Sequence, residues 1–369
     1  MPTDPTAGLP RRPRRRPDVP LLWRADDELQ VGVAPAPVAV LSPVTRAEAR
    51  WLVGLDGLRR LDQAVADASA EYGLPTARAL SLLRSLTGAC ALDDAAERPG
   101  YAALLTPDDR LRLGVDRSAL VQAYGDVTAG DRVLAARSRA RVQVLGTGRV
   151  GSALAPLLAA AGVGTVDIVD EPVGRPAGPA DLTPAGLRPA AVRRDAAAQV
   201  RDLVRAVAPA ITAAVAGPDL VVLAPACHPD AIDATSALAQ DLPHLPVAAY
   251  GGRAVVGPLV LPGRTGCLRC ADLRRADADP AWPRMAVQLA HLRPGVVPVD
   301  VGLATAAAAL ASLRALAWID AAVEDPDSRP TARPAHGDGT AYAWEVRIPG
   351  PLVRRIAHPP HPLCGCRWT

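Results

Sequence analysis

Hydrophobic and polar positions alternate differently in successive parts of the chain. From Leu21, short apolar runs (Leu21 to Arg24, Leu29 to Val33, Val38 to Leu41) are separated by turn signals at Asp26-Asp27 and Pro35 to Pro37, which predicts small strands. Helical spacing follows, with Leu52, Leu55, Leu58, Leu61 and Val65 on one face. Leu74, Ala77, Leu80, Leu83 and Leu86 mark a second helix that ends near Gly88. Strands followed by helices over residues 21–95 predict a winged-helix-like α+β domain. The stretch 96–135 is mixed and charged and reads as a linker plus a helix leading into a central sheet. Beyond it, apolar runs at Val142 to Leu145, Val166 to Val169, Asp219 to Ala224 and Val247 to Tyr250 alternate with helical segments at 152–162, 193–207 and 232–242. That alternation predicts an α/β domain over 136–330 with a largely parallel sheet covered on both faces. Gly251-Gly252 and the run Val255 to Leu261 predict later strands that turn back, making the sheet mixed.

The chemistry is concentrated where the first of these strands ends. Arg141-Val-Gln-Val-Leu-Gly-Thr-Gly-Arg-Val-Gly151 leads through an Ala/Leu-rich helix to Val166-Asp-Ile-Val-Asp170. The order strand, glycine turn, helix, strand, carboxylate fits a nucleotide-binding unit. Gly146 permits the tight turn, Gly148 lets backbone approach a phosphate, and Gly151 lets helix and strand pack closely. The helix N-terminus offers N–H groups to an anion, and Asp170 can accept from a ribose hydroxyl. A glycine turn of this kind also occurs without any ligand.

Composition adds three constraints. A formal net charge of +3 is too small to imply a nucleic-acid or membrane partner. Every one of the 41 basic residues is Arg, so there is no lysine to serve in catalysis. The Pro/Arg-rich residues 1–20 have no aromatics among the arginines and read as a disordered, solvated tail rather than a nucleic-acid-binding arm. No secretory signal is legible. The Ala-rich segment Val299 to Val323 carries Asp300, Arg314 and Asp320, which suits a buried helix better than a membrane span. A cytoplasmic location is expected.

Four of the six cysteines form two close pairs, Cys267-Leu-Arg-Cys270 and Cys364-Gly-Cys366. Four thiolates supplied wholly by protein fit a tetrahedral structural Zn²⁺ that clips a C-terminal strand and tail, 331–369, onto the core. His358 or His361 can substitute for a thiolate. A redox-active pair at Cys267 and Cys270, or unpaired buried thiols, are the alternatives. Cys90 and Cys227 stand alone and read as small buried residues.

Taken with Ala161-Gly-Val-Gly164, Leu259-Val-Leu-Pro-Gly-Arg-Thr-Gly-Cys-Leu-Arg-Cys270, Asp277-Ala-Asp-Pro-Ala-Trp-Pro283 and His361-Pro-Leu-Cys-Gly-Cys366, these motifs resemble the ThiF-type adenylyltransferase superfamily, which includes ubiquitin-activating enzymes. Within it they are most similar to the cyclodehydratase or leader-peptide-binding proteins of azole-forming peptide biosynthesis. The resemblance spans residues 140–369. It implies a Rossmann-like ThiF-type mixed sheet with structural zinc, often as a homodimer, and an N-terminal domain that captures a precursor's leader segment. Active members use ATP and Mg²⁺ to adenylate a C-terminal carboxylate. This chain departs from that pattern: the phosphate-binding lysine has no counterpart, with Arg193 or Arg194 near its place. The metal-holding aspartate after strand 220–224 is replaced within Pro225-Ala-Cys-His228, leaving Asp230 the nearest carboxylate. The family's Asn and Arg after the ribose acid are not evident in Pro172 to Leu187.

Two functions follow. The favoured one is a scaffold that binds a precursor peptide and presents it to a partner YcaO-type ATP-dependent cyclodehydratase, its own ATP site degenerate. The other is an active adenylyltransferase with Gly146 to Gly151 on phosphate, Asp170 on ribose, and Arg149 or Arg194 stabilising phosphoryl charge. A nicotinamide oxidoreductase leaves the cysteine pairs unexplained. DNA-binding regulation through the N-terminal domain is disfavoured because the second helix carries only Arg78 and Arg84 as cations.

Overall fold

In the computed structural model, which describes residues 5–36, 38–96, 105–170, 173–211, 217–228, 232, 234–291, 298–321, 341–350 and 352–366, the chain divides into two units, Met1–Leu134 and Ala135–Thr369.

In the first unit, β2 (Leu21–Ala25), β3 (Glu28–Val31) and β4 (Ala39–Leu41) form an antiparallel sheet in sequence order. Helices α1 (Arg46–Val53), α2 (Leu61–Tyr72) and α3 (Thr76–Gly88) pack with it around Leu29, Val31, Leu52, Leu82, Leu83 and Leu86. Thr45 starts α1 with a capping box, its hydroxyl accepting from Glu48 N at 3.1 Å while Thr45 N donates to the Glu48 carboxylate. Glu48 also takes Arg78 Nε of α3 at 2.7 Å, tying the two helices together.

Three expectations need correcting here. Residues 1–20 are not wholly a disordered tail, because β1 (Pro13–Arg15) pairs antiparallel with β5 (Leu92–Asp94). The arginines that made the segment look solvated are partly consumed by structure. Arg16 is buried, donating to Asp18, the Cys90 carbonyl and the Ser118 carbonyl. The helical face drawn from Leu52 to Val65 is broken between α1 and α2: Gly57, at φ +79°, turns the chain, and Leu58 is 76% exposed. A Cβ at Gly57 would meet Ala95 Cβ at 2.5 Å, so the turn is also where two backbone segments come close. The segment read as a linker plus one helix, 96–135, is helical over more of its described length, with α4 (Pro107–Tyr124) started by a Thr106 cap and stopped by Gly125 at φ +65°. Helix α5 (Ala129–Arg139) then leads into the central sheet, and the division between units falls within it.

The second unit contains β6 (Arg141–Leu145), α6 (Arg149–Ala160), β7 (Thr165–Val169), α7 (Ala196–Val207), β8 (Leu220–Leu223), α8 (Thr235–Ala239), β9 (His244–Tyr250), β10 (Arg253–Val256), α9 (Leu268–Ala278), α10 (Trp282–Ala290), α11 (Val301–Asp320), β11 (Tyr342–Arg347) and β12 (Leu352–Ala357). Its sheet runs β12-β11-β10-β9-β8-β6-β7. The four strands β7, β6, β8 and β9 are parallel and the rest antiparallel, so the sheet is mixed as expected. The described part of the C-terminal segment 331–369 contributes two strands rather than one, and they extend this sheet, because β11 pairs directly with β10.

Helices α7, α6 and α11 lie side by side on the sheet. Small residues make that closeness possible: Ala304, Ala307, Ala308, Ala311 and Ala315 of α11 are all fully buried, as are Ala153 and Ala155 of α6. Helix α11 is, among the described residues, the one long and apolar enough to cross a membrane, yet 56% of its apolar window is buried inside the fold. Its charges are accounted for internally. Asp320 receives Arg137 through two hydrogen bonds, at 2.8 and 2.7 Å, and the Arg314 guanidinium lies 3.9 Å from the centre of the Tyr342 ring.

Candidate nucleotide cleft and metal centre

The glycine turn sits where the strand order reverses, between β6 and β8, the place at which open α/β sheets bind ligands. Gly146 has φ +107°, and a Cβ there would lie 2.3 Å from the Ala224 carbonyl oxygen. Gly151, on the first turn of α6, would place a Cβ 2.0 Å from the Gly146 carbonyl oxygen. Both positions therefore require glycine. Gly148, the N-cap of α6, has an ordinary φ of −67° and meets only Ala226 Cβ, at 3.2 Å. The tight turn at Gly146 and the close helix–strand approach at Gly151 are therefore both in the structure.

Its charges are arranged differently. Asp170 is buried at the end of β7 and accepts the Thr147 hydroxyl from the glycine turn. Arg175 reaches the same carboxylate with Nε at 2.9 Å, Asp181 with Nη1 at 2.8 Å and Thr147 Oγ1 with Nη2 at 2.8 Å. Asp181 in turn accepts from Gly178 N at 2.8 Å. One guanidinium thus spans the turn, the strand-end acid and the following loop, and both carboxylates are nearly inaccessible. The sequence reading missed Arg175, Thr147 and Asp181. Arg175 stands five residues past Asp170 inside a Pro/Gly-rich loop, where nothing in the pattern separates a structural arginine from a solvated one.

The other predicted residues do not converge on this point. Arg149 turns its Nη1 to the Val299 carbonyl at 2.5 Å, and its Nε is buried without a partner. Arg194 lies exposed in the turn before α7, where its backbone carbonyl accepts from Ala177 N at 2.8 Å. The loop after β8 brings Ala224, Pro225 and Ala226 beside Arg149 and Asp181 in a narrow cleft. Pro225 to His228 supply no carboxylate, and Asp230 is outside the described residues. Burial pushes the Cys227 thiol up to about 11, which keeps it protonated and non-nucleophilic at neutral pH. Among the described residues, then, the acid expected on ribose is held by Arg175, and no carboxylate lies between β8 and His228.

The cysteine pairs do converge. Cys267 occupies the N-cap position of α9 and Cys270 lies on its first turn. Gly365, at φ +69°, makes the turn that brings Cys364 and Cys366 together across a single spacer. The four sulfurs lie within 4.8 Å of one another, with Cys267 to Cys270 at 3.9 Å, Cys267 to Cys364 at 3.5 Å and Cys270 to Cys366 at 3.4 Å. These separations are far beyond a disulfide's. They match the edges, about 3.8 Å, of a tetrahedron built on metal–sulfur bonds of about 2.3 Å. The arrangement can hold a metal ion such as zinc. His361 is used elsewhere, its Nε2 2.8 Å from Asp277 Oδ2 and its Nδ1 accepting from Leu363 N, so the all-sulfur set is the one assembled. Arg274 adds a second clip, donating to the Pro359 and Pro360 carbonyls at 3.1 and 2.8 Å.

Known proteins place this geometry in context. Residues 123–173, which include β6, the glycine turn, α6 and β7 through Asp170, match the ThiF family. No curated protein matches the chain by sequence. Among solved structures, E. coli MccB with MccA-N7isoASN superposes at TM-score 0.62 and 16% identity, covering 96% of this chain and 99% of that one. E. coli MccB with ATP gives 0.61 and 15%, covering 96% and 99%. PaaA gives 0.63 and 12%, covering 93% and 99%. At these identities the likeness is one of fold, and it extends over both units. The chain carries the ThiF family's sequence signature, over residues 123–173, on a ThiF-type α/β fold.

Proposed function

We propose that this ThiF-like protein binds a ribosomally made precursor peptide through its N-terminal unit and presents it to a partner ATP-dependent cyclodehydratase of the YcaO type. In this reading its own nucleotide site serves as architecture. The observation that carries the reading is the Arg175 bridge to Asp170, Asp181 and Thr147, which commits the ribose acid and the glycine turn to an internal ion-pair network. A unit of three antiparallel strands followed by three helices supports the peptide role, since its edge strand β4 can accept an extended segment. The solved relatives bear on it too: MccB has been crystallised with MccA and with ATP. Zinc on Cys267, Cys270, Cys364 and Cys366 would hold the C-terminal tail to α9 and contribute to folding. A cytoplasmic homodimer is the expected working state.

Calorimetry of the full chain against the leader segment of a precursor encoded beside its gene tests the reading. Micromolar binding of the leader, with no pyrophosphate exchange at millimolar ATP, is the expected result; absence of leader binding would sink it. The second reading, an adenylyltransferase acting on the C-terminal carboxylate of a peptide or small protein, is favoured by the intact Gly146 and Gly151 geometry. Acceptor-dependent pyrophosphate exchange would establish it in place of the first.

A further inference from the structure

The N-terminal unit contains a groove of about 1050 Å³ that no motif announced. Sites for small molecules occupy about 300–1,000 Å³, so this one is sized for a short stretch of peptide. Its floor is apolar, formed by Leu61 and Val65 of α2, Leu80 of α3 and Leu9 of the N-terminal arm. Among the described residues the lining charges are Arg11, Arg12 and Arg60 against Asp62, and the Arg60–Asp62 pair is more than two-thirds exposed on both sides. The wall is held in place beforehand. Leu61 N donates to the Arg11 carbonyl at 2.8 Å, Ala95 N to the Arg12 carbonyl at 2.9 Å, and the backbone amides of Arg11 and Arg12 both donate to the Asp94 carboxylate. Arg84 of α3 holds the arm again at the Pro5 carbonyl. A groove whose walls need no ordering loses less affinity to entropy when it is filled.

We infer that this groove binds an acidic, leucine-like segment of the peptide the protein handles, with carboxylates on the arginine rim and apolar side chains on the floor between α2, α3 and the arm. It is lined by neither β4 nor any other residue of the three-stranded sheet, so it adds a second point of contact to any strand addition there. The inference rests on the peptide-handling reading and names the chemistry of what is recognised.

The test is selection of a display library of random peptides, about a dozen residues long, on the full-length protein, followed by fluorescence anisotropy of the enriched sequences. Enrichment of Asp and Glu interleaved with Leu and Ile is expected, with binding that weakens as salt rises. The triple variant Arg11→Gln/Arg12→Gln/Arg60→Gln and the groove-filling variant Thr76→Trp should each weaken binding about tenfold or more. Arg50→Gln, on the exposed side of α1, should leave it unchanged, with unaltered melting curves for all three. No enrichment, or enriched peptides indifferent to the groove variants but lost in Val40→Pro on β4, would overturn the groove while leaving peptide handling to be judged by calorimetry with the precursor. Enrichment seen only after residues 97–104 are replaced by Gly and Ser would also overturn it, making the occupant a part of this chain.

Discussion

Arg175 Nε lies 2.9 Å from Asp170 Oδ2, so the acid that follows the glycine motif is held by an arginine of its own loop. Asp170 is buried and shares a guanidinium with Asp181. Removing the cation strands two buried carboxylates, for which the cost of breaking a buried pair, about 3–5 kcal/mol, is the appropriate scale. Arg175→Ala is expected to lose about 3 kcal/mol in urea unfolding, and a loss below about 1 kcal/mol would mean that water serves the acids equally well.

The four-sulfur centre predicts one metal ion per chain by elemental analysis. The double variant Cys364→Ser/Cys366→Ser should contain none. Strong chelation of the parent protein should lower its melting temperature by roughly 10 °C, the effect of losing about 4 kcal/mol of ligand-linked stability. Cys227→Ser, outside the cluster, should keep both the metal and the melting temperature. Equal metal content in the double variant would rule the centre out.

Glu345 is fully buried on β11, where burial pushes its carboxyl upward. Arg253, Arg347 and Arg354 more than reverse this and hold it at about 2. Above its ordinary 4.5 the side chain is ionised in both folded and unfolded chains, so its contribution is complete. Between 4.5 and 2 the unfolded chain takes the proton first, and about 3 kcal/mol is lost as pH falls. Glu345→Gln should be destabilised by about that amount at pH 7, and the gap from the parent should close below pH 4.5. A gap that does not change with pH would contradict the assignment.

Two glycines of one motif should behave oppositely. Gly151→Ala drives a methyl to 2.0 Å from the Gly146 carbonyl oxygen, whereas Gly148→Ala meets only a side-chain methyl at 3.2 Å. The first is expected to cost about 3 kcal/mol and the second less than about 1 kcal/mol by denaturant unfolding. Similar costs would show that the loop shifts to absorb either change.

Much of the fold was legible because local pattern and tertiary role agree. The strands β6, β7, β8 and β9 are apolar runs bounded by glycine and proline, and α3 and α7 carry single apolar faces. The segments that misled are those whose residues act against type. Arg16 is a buried arginine in a Pro/Arg-rich stretch, and Leu58 is an exposed leucine in a helical register. At the candidate site the glycines and cysteines were readable because their chemistry tolerates few other roles. Arg175 was not, since one arginine among 41 is marked only by what surrounds it.

The amino-acid order by itself determined that an α/β unit with a tight glycine turn would form and that two cysteine pairs existed to be joined, because turns, periodicities and spacings are local properties of the chain. Only the tertiary structure decided that the pairs meet, across 97 positions, within 3.5 Å at Cys267 and Cys364. It alone decided, too, that the acid after the second strand is answered by an arginine of its own loop. Partners of charged and sulfur-bearing side chains are chosen by proximity in space, and proximity between distant residues is set by packing of the whole domain rather than by any stretch of sequence.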